Sequence, residues 1–408
     1  MTDLQGTQNL NNSIQQQKTR ILWHSNAPWA STGYGNQTAL IVPRLQKAGY
    51  EMGLSAFYGL EGGLIKWVDG IPGYPKMNDP RDPYGANSVG FYSDVFGADI
   101  AITLIDAWVL DSRLMSKKTK WVPYYPVDSS PLPISVFRSI NTSFDRIAMS
   151  KFGQKMTNEA GLSCHYVPHA VDTKIYTPLD RNKCREMLSK QMGFDKDAFL
   201  IGMVAASKDF PSRKSFEPHL RAFAKLKEKH SDAQFYIHTD PNNPNGVNIP
   251  ELIQFLGLTL GKDVFLPAPG GYFLGFGFEF MTMMYNAMDV HVLASMGEGF
   301  GIPIVEAQAC GCPVIVGDWT SMSELCFSGW KIPESDSEKF YQRTGGYQYL
   351  PHSNAIYDAM EKAYGMRGNV DYRSQARDGA LAYDIEKVVE KYWLPTLEVI
   401  KQRIEESK

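Results

Sequence analysis

In the stretch Asp289–Gly311, DVHVLASMGEGFGIPIVEAQACG, Glu298 and Glu306 stand with seven residues between them. Val290, Val292 and Leu293 suit a buried strand, Gly297 to Gly301 a tight loop, and Pro303 the first turn of a helix. A strand, loop and helix in that order put one carboxylate above the helix N-terminus and the other about one turn inside it. The backbone N–H groups of Phe300, Gly301 and Ile302 then point out of the helix start, where the dipole favours an anion such as a diphosphate. Small residues such as Gly299 let a ligand come close. Ionised carboxylates are good partners for sugar hydroxyls, because each accepts several hydrogen bonds from a diol. A sugar–diphosphate–ribose chain fits that set of groups.

Other residues of the right types lie in loops that should follow strands. The segment Met203–Lys214, MVAASKDFPSRK, places Lys208, Arg213 and Lys214 between a strand and a helix beginning near Phe216. Ser31–Gly35, STGYG, with Gly33 and Gly35, follows the strand ILWHS. Asp106 ends DIAITLID, and Asp128 follows WVPYYP; both belong at carboxyl ends of parallel strands, where crevices form. Either could meet an acceptor hydroxyl, with Asp128 the preferred candidate and a turn or helix cap its plain alternative. Glu324, beyond the next strand, reads either as a ligand contact or as a first-turn helix acid. The eight histidines, His24 and His169 among them, show no metal-ligand spacing, so no metal is expected. Met281–Met288, MTMMYNAM, reads as core packing.

These groups need a scaffold, and the alternation of short apolar runs with amphipathic segments supplies one. Ile21–His24 then Thr38–Ala48, Ile100–Ile105, Lys120–Tyr125, Arg146–Ser150 then Phe152–Ala160, and His165–Pro168 read as βαβ units on a parallel sheet. The rhythm restarts with Phe199–Ala205 then Phe216–Lys227, Gln234–His238, Val264–Leu266, Val290–Ala294 then Ile304–Cys310, and Pro313–Val316. Two doubly wound halves follow, hinged near Pro168–Pro178. The expected division is a mobile polar tail at 1–18, an acceptor-side unit at 19–172, a nucleotide-sugar unit at 173–380, and a C-terminal helix at 381–408 crossing back to the first unit. Tyr383–Ile404 should be one long helix that Pro395 kinks or divides.

Length and composition agree. The 408 residues, 43% of them hydrophobic, can fill more than one core. With 41 basic and 44 acidic residues, the net charge of -3 creates no overall field toward nucleic acid or membrane. Five cysteines without redox or zinc spacing, a polar N-terminus and no long apolar run point to a reduced, cytoplasmic chain without integral membrane association.

The run from Glu298 through GFGIPIV to Glu306, followed by AQACGCPVI, resembles the E-x7-E signature of retaining glycosyltransferases of GT-B fold, glycosyltransferase family 4 above all. The likeness extends to MYNAMDVHVLAS, to AMSKFG and to VPHAVD. It implies two Rossmann-like parallel-sheet domains facing a central cleft. It also implies transfer of a hexose-type sugar, with retention and without metal, from a nucleoside-diphosphate sugar, UDP- or GDP-linked, that serves as co-substrate rather than tightly bound cofactor. By that resemblance Glu298 holds the transferred sugar, Glu306 the ribose, and the Gly33–Gly35 loop faces the diphosphate. Lys208 and Lys214 stand where the family has an arginine and a lysine that neutralise the departing diphosphate. Lys208 lacks the arginine's bidentate fork, so Arg213 could serve instead. The histidine many members carry near Pro126–Asp128 is missing.

The acceptor is left open between a glycan or lipid-linked saccharide and a hydroxymethylated base in phage DNA. The stretch ILWHSNAPWASTGYGNQT resembles phage-encoded glycosyltransferases, and Lys117–Trp121, KKTKW, offers a basic-aromatic patch. The segment Phe57–Gly90 could be an acceptor loop. Two alternatives share the fold: a sugar-nucleotide epimerase or hydrolase, and an inactive nucleotide-sugar-binding protein.

Overall fold

The computed structural model describes residues 18–209, 211–268, 272 and 276–407. Apart from Lys18, the expected polar tail lies outside the described residues.

The first sheet has eight strands: β1 Arg20–Asn26, β2 Glu51–Tyr58, β3 Ile65–Lys66, β4 Pro72–Pro75, β5 Ile100–Leu104, β6 Lys120–Tyr125, β7 Ile147–Ala148 and β8 His165–Tyr166. Their spatial order is β3-β4-β2-β1-β5-β6-β7-β8, parallel throughout except for the short β3–β4 edge pair. The second has six: β9 Phe199–Val204, β10 Ala233–His238, β11 Val264–Phe265, β12 Val290–Leu293, β13 Val314–Gly317 and β14 Gly329–Ile332. Its order, β11-β10-β9-β12-β13-β14, is wholly parallel. Helices cover both faces, so the central strands are buried on both sides and read as near-continuous apolar runs: VHVL in β12, broken only by His291, and VIVG in β13 are buried end to end.

Strand order fixes where a ligand can sit. In each sheet the chain turns back at one point, between β1 and β5 in the first and between β9 and β12 in the second, and crevices open at carboxyl ends there. The loops at those two points are Ala27–Thr32 and the one around Asp106, facing those that carry Arg213 and Glu298.

Two features depart from the sequence expectation. The third sheet is an antiparallel hairpin, β15 Ser337–Tyr341 and β16 Tyr347–Pro351, closed over a turn at Gly345 and Gly346. Phe57–Gly90 is not a free loop either: it contributes β3 and β4 to the sheet edge and begins the helix Ala86–Phe96. Pro395 divides the C-terminal segment. The helix Ile385–Val388 passes through a π-helical turn, Val389–Trp393, before Leu394–Glu406 resumes with the proline in its first turn.

That last segment returns to the first sheet. The Trp393 ring is buried 5.4 Å from Trp23 and 5.1 Å from Tyr124, centroid to centroid. Glu398 accepts from the Tyr50 hydroxyl at 3.0 Å, and Arg403 pairs with the buried Asp145. The crossing itself is hydrogen-bonded: Val171 N–H donates to Tyr383 O at 3.0 Å, and Ile385 N–H donates to Val171 O at 3.1 Å.

Candidate active site

A cavity of about 730 Å³ lies between the carboxyl ends of the two sheets. It gathers Gly33, Asp106 and Asp128 from the first half with Lys208, Arg213, Lys214, Glu298, Gly299, Phe300, Gly301 and Ile302 from the second.

Glu298 is its electrostatic centre. The side chain is almost wholly buried, with Lys214 Nζ at 2.5 Å and Arg213 Nη1 at 3.3 Å. Burial alone would raise the carboxyl pKa, but the two cations hold it down at about 2. Arg213 also donates to Gly297 O at 2.5 Å. Burial opposes the charge of its guanidinium, and the carboxylates of Glu298, Asp128, Asp209 and Asp106 outweigh that, keeping it a cation. Glu298 therefore enters the cleft already ion-paired. Lys208 lines the same cavity, with no ion pair among the described residues.

The glycine loop does two jobs. The helix Ile302–Ala309 starts at Gly301, whose φ of +106° a side chain would strain. The N–H groups of Gly299, Phe300, Gly301 and Ile302 have no hydrogen-bond partner among the described residues, so this end of the cavity is lined by free donors. The other glycines admit protein as well as ligand. A Cβ on Gly297 would lie 2.0 Å from Asp128 O, and one on Gly299 2.2 Å from Pro126 Cβ. Their smallness is what lets the two halves touch. The Phe300 side chain is buried, 5.2 Å from the His169 ring and 5.9 Å from Tyr383.

Gly35 does not line the cleft, contrary to expectation. It is buried inside the helix Gly33–Lys47, and a Cβ there would sit 2.3 Å from Ala30 O, so it is a packing glycine. Gly33 does face the cavity, 3.3 Å from Ile302 Cδ1 by its virtual Cβ. Glu306 opens onto an adjoining cavity of about 490 Å³, shared with Thr32, Gly33 and Ile302. It is buried, accepts from Tyr285 Oη at 2.9 Å, and burial pushes its carboxyl up to about 7 despite Tyr285 and Tyr176.

Glu324 lines neither of the two cavities and does not lie in a helix's first turn. It closes the helix Thr320–Leu325 and accepts from the N–H groups of Lys151 (2.9 Å) and Phe152 (3.2 Å), capping a helix of the other half. The basic-aromatic patch fails for two reasons. Trp121 is buried, its Nε1 donating to Thr103 at 3.0 Å, and Lys120 begins β6, so the patch lies at the strand ends remote from the cleft.

Asp106 and Asp128 both line the cavity from the first half. Burial, then the Asp128 charge, raises Asp106 to about 6, and burial raises Asp128. Among the described residues no group of three or more His, Cys, Asp or Glu is arranged to hold a metal ion, and the five cysteines are free thiols. No described helix is long and apolar enough to cross a membrane.

The sequence reading missed several cavity residues. Asn26 ends β1, Trp108 follows Asp106, and His169 is held neutral by burial, its pKa lowered to about 3, with Nδ1 2.7 Å from the Tyr124 hydroxyl. Phe340, Gln342, Thr344 and Gln348 come from the hairpin. Two short aromatic runs around a TGG turn were the available signal for it.

Residues 198–345 match the family Glycosyl transferases group 1. The chain is 26% identical over 258 residues to "Uncharacterized glycosyltransferase 335" of Sulfolobus islandicus rod-shaped virus 1, covering 60% of this chain and 71% of the viral protein. It is 31% identical over 156 residues to the D-inositol 3-phosphate glycosyltransferase of Actinosynnema mirum, a match spanning 36% of this chain and only 34% of that one. Among solved structures, a glycosyltransferase from Rickettsia africae superposes with a TM-score of 0.71 at 19% identity, covering 95% and 99% of the two chains. Anabaena HepE in complex with UDP-glucose does so with a TM-score of 0.68 at 16% identity, over 93% and 99%. The fold is GT-B, and residues 198–345, in the second half, are similar to the group 1 glycosyl transferases.

Proposed function

We propose that this chain is a retaining glycosyltransferase that moves a hexose-type sugar from a UDP- or GDP-sugar to a saccharide hydroxyl without a metal. The observation that carries the reading is one cavity in which Arg213 and Lys214 flank Glu298 beside the unpartnered N–H groups of Gly299 to Ile302. Residues 19–172 form the acceptor side and 173–380 the donor side. The diphosphate lies against the free amides, with Lys214, Arg213 and Lys208 stabilising the charge that grows on it as the glycosidic bond breaks. Ribose hydroxyls reach Glu306 in the adjoining cavity, and the Glu298 carboxylate, fixed by its cations, accepts from hydroxyls of the transferred sugar. The likeness to HepE bound to UDP-glucose supports a nucleotide-sugar co-substrate. With the basic patch remote from the cleft, a glycan or lipid-linked saccharide suits the site better than DNA.

A thermal-shift screen of UDP-, GDP-, ADP- and TDP-sugars, followed by assay of the stabilising donor with oligosaccharides and with hydroxymethylated DNA, tests the proposal. A product with the donor's anomeric configuration, formed in the presence of a chelator, is expected. An isomerised or hydrolysed donor formed without acceptor identifies an epimerase or hydrolase instead, and binding without turnover a donor-binding protein. An inverted linkage overturns retention.

A further inference from the structure

The hairpin Ser337–Pro351 belongs to the second half by sequence, yet it straps the two halves together. Tyr349 N–H donates to Met296 O at 2.9 Å in the donor-side loop. Ser130 and Tyr347 exchange both backbone hydrogen bonds, at 3.0 and 2.8 Å, in the acceptor-side loop, and Ser135 Oγ donates to Thr344 O at 3.1 Å. Strand alternation then sorts its side chains. Tyr341, Tyr347 and Tyr349 share one face, with Tyr349 packed on Trp319, while Phe340, Gln342 and Gln348 share the other and line the cavity.

Three observations describe what that inner face could hold. Phe340 remains 38% exposed, and on the facing first-half loop Trp108 remains 47% exposed, so two aromatic surfaces stand open at one cavity. Gln348, paired in register with Phe340, is buried to 3%, and its Oε1 has no hydrogen-bond partner among the described residues, an acceptor waiting for a donor. The charged residues lining the cavity are four carboxylates (Asp106, Asp128, Asp209, Glu298) against three cations (Lys208, Arg213, Lys214), before a diphosphate adds its own negative charge. Once a diphosphate occupies the cations, no positive charge is left over for a second polyanion.

We propose that Trp108, Phe340 and Gln348 form an acceptor subsite for a neutral saccharide, built jointly by the strap and the first-half loop. Flat aromatic faces bury the C–H faces of a pyranose ring, the Gln348 carbonyl accepts from one of its hydroxyls, and Asp106 or Asp128 accepts from another. The inference rests on the donor reading above and adds the residues that would hold the acceptor opposite the donor.

The test is calorimetric titration of the full-length chain, with and without UDP or GDP, using maltotriose, cellotriose, N-acetylchitotriose and a duplex oligonucleotide containing 5-hydroxymethylcytosine. At least one saccharide is expected to bind, and Trp108→Ala and Phe340→Ala are each expected to weaken it roughly tenfold or more, with the nucleotide-induced melting shift retained. Gln348→Glu, which exchanges the amide for a second acceptor oxygen of nearly the same size, should alter the ranking among the three saccharides. Binding of the oligonucleotide in place of every saccharide, no saccharide binding at all, or saccharide binding indifferent to both aromatic substitutions overturns the subsite. Absence of any nucleotide shift in the unsubstituted chain counts against the donor reading instead.

Discussion

Glu306→Gln separates a buried acid's burden on the fold from its use in binding. The carboxyl is moved from its ordinary 4.5 to about 7, chiefly by burial, with the Tyr285 and Tyr176 hydroxyls offsetting part of that rise. The folded state therefore favours the protonated acid. The stability this contributes is complete below about 4.5 and is lost as pH rises through about 7. At roughly 1.4 kcal/mol per pKa unit the loss amounts to about 3 kcal/mol. Glutamine imitates the neutral acid and keeps an oxygen for Tyr285, so the variant should match the wild type near pH 4 and exceed its stability by about 3 kcal/mol at pH 8.5. Urea unfolding of both proteins at both pH values measures this, and the difference between them cancels the other titrating groups. Ribose hydroxyls prefer the ionised form, so wild-type affinity for the donor nucleotide should rise through pH 7 while the variant's stays flat. A stability difference that is the same at both pH values refutes the reasoning.

Other substitutions probe the remaining contacts. Glu298→Gln leaves Lys214 and Arg213 without their counter-charge, and single-turnover transfer should fall by about 10²–10³; near-wild-type turnover removes Glu298 from the site. Gly299→Ala would drive a methyl into Pro126, with a virtual Cβ at 2.2 Å. A stability loss of about 1–3 kcal/mol and slower transfer should follow, read by melting temperature and initial rate. Glu324→Ala removes the cap on the helix Lys151–Glu159 at a cost of about 1 kcal/mol, visible in the melting temperature, and leaves the nucleotide dissociation constant unchanged.

The parts of the fold that could be read in advance were those in which one local pattern decides the outcome. Runs such as VHVL and VIVG are buried on both faces, so apolar continuity alone identified β12 and β13. Glu298 and its loop were legible for the same reason: strand, glycines, proline and the two glutamates follow one another within the 17 residues Val290–Glu306. What could not be read depends on who the neighbour is. Nothing in STGYG says that the second glycine packs against Ala30 rather than a diphosphate, and nothing near Glu324 says that its partners are amides 173 and 172 residues away. KKTKW fails similarly, because burial of Trp121 is decided by the sheet it joins. The hairpin's turn was visible locally, but its bridge to Ser130 is long-range and left no trace in spacing.

The return of the C-terminal segment has a consequence for the order in which the protein is made. β1 and β6 precede the second half in the chain, yet the edge-to-face pair Trp23 and Tyr124 is packed against by Trp393, and Asp145, already beside His165, gains Arg403. On the ribosome the first sheet is complete in hydrogen bonds long before it is complete in packing. Packing of the first sheet is therefore completed by residues that follow the whole second half in the chain, so the half begun first is finished after the other.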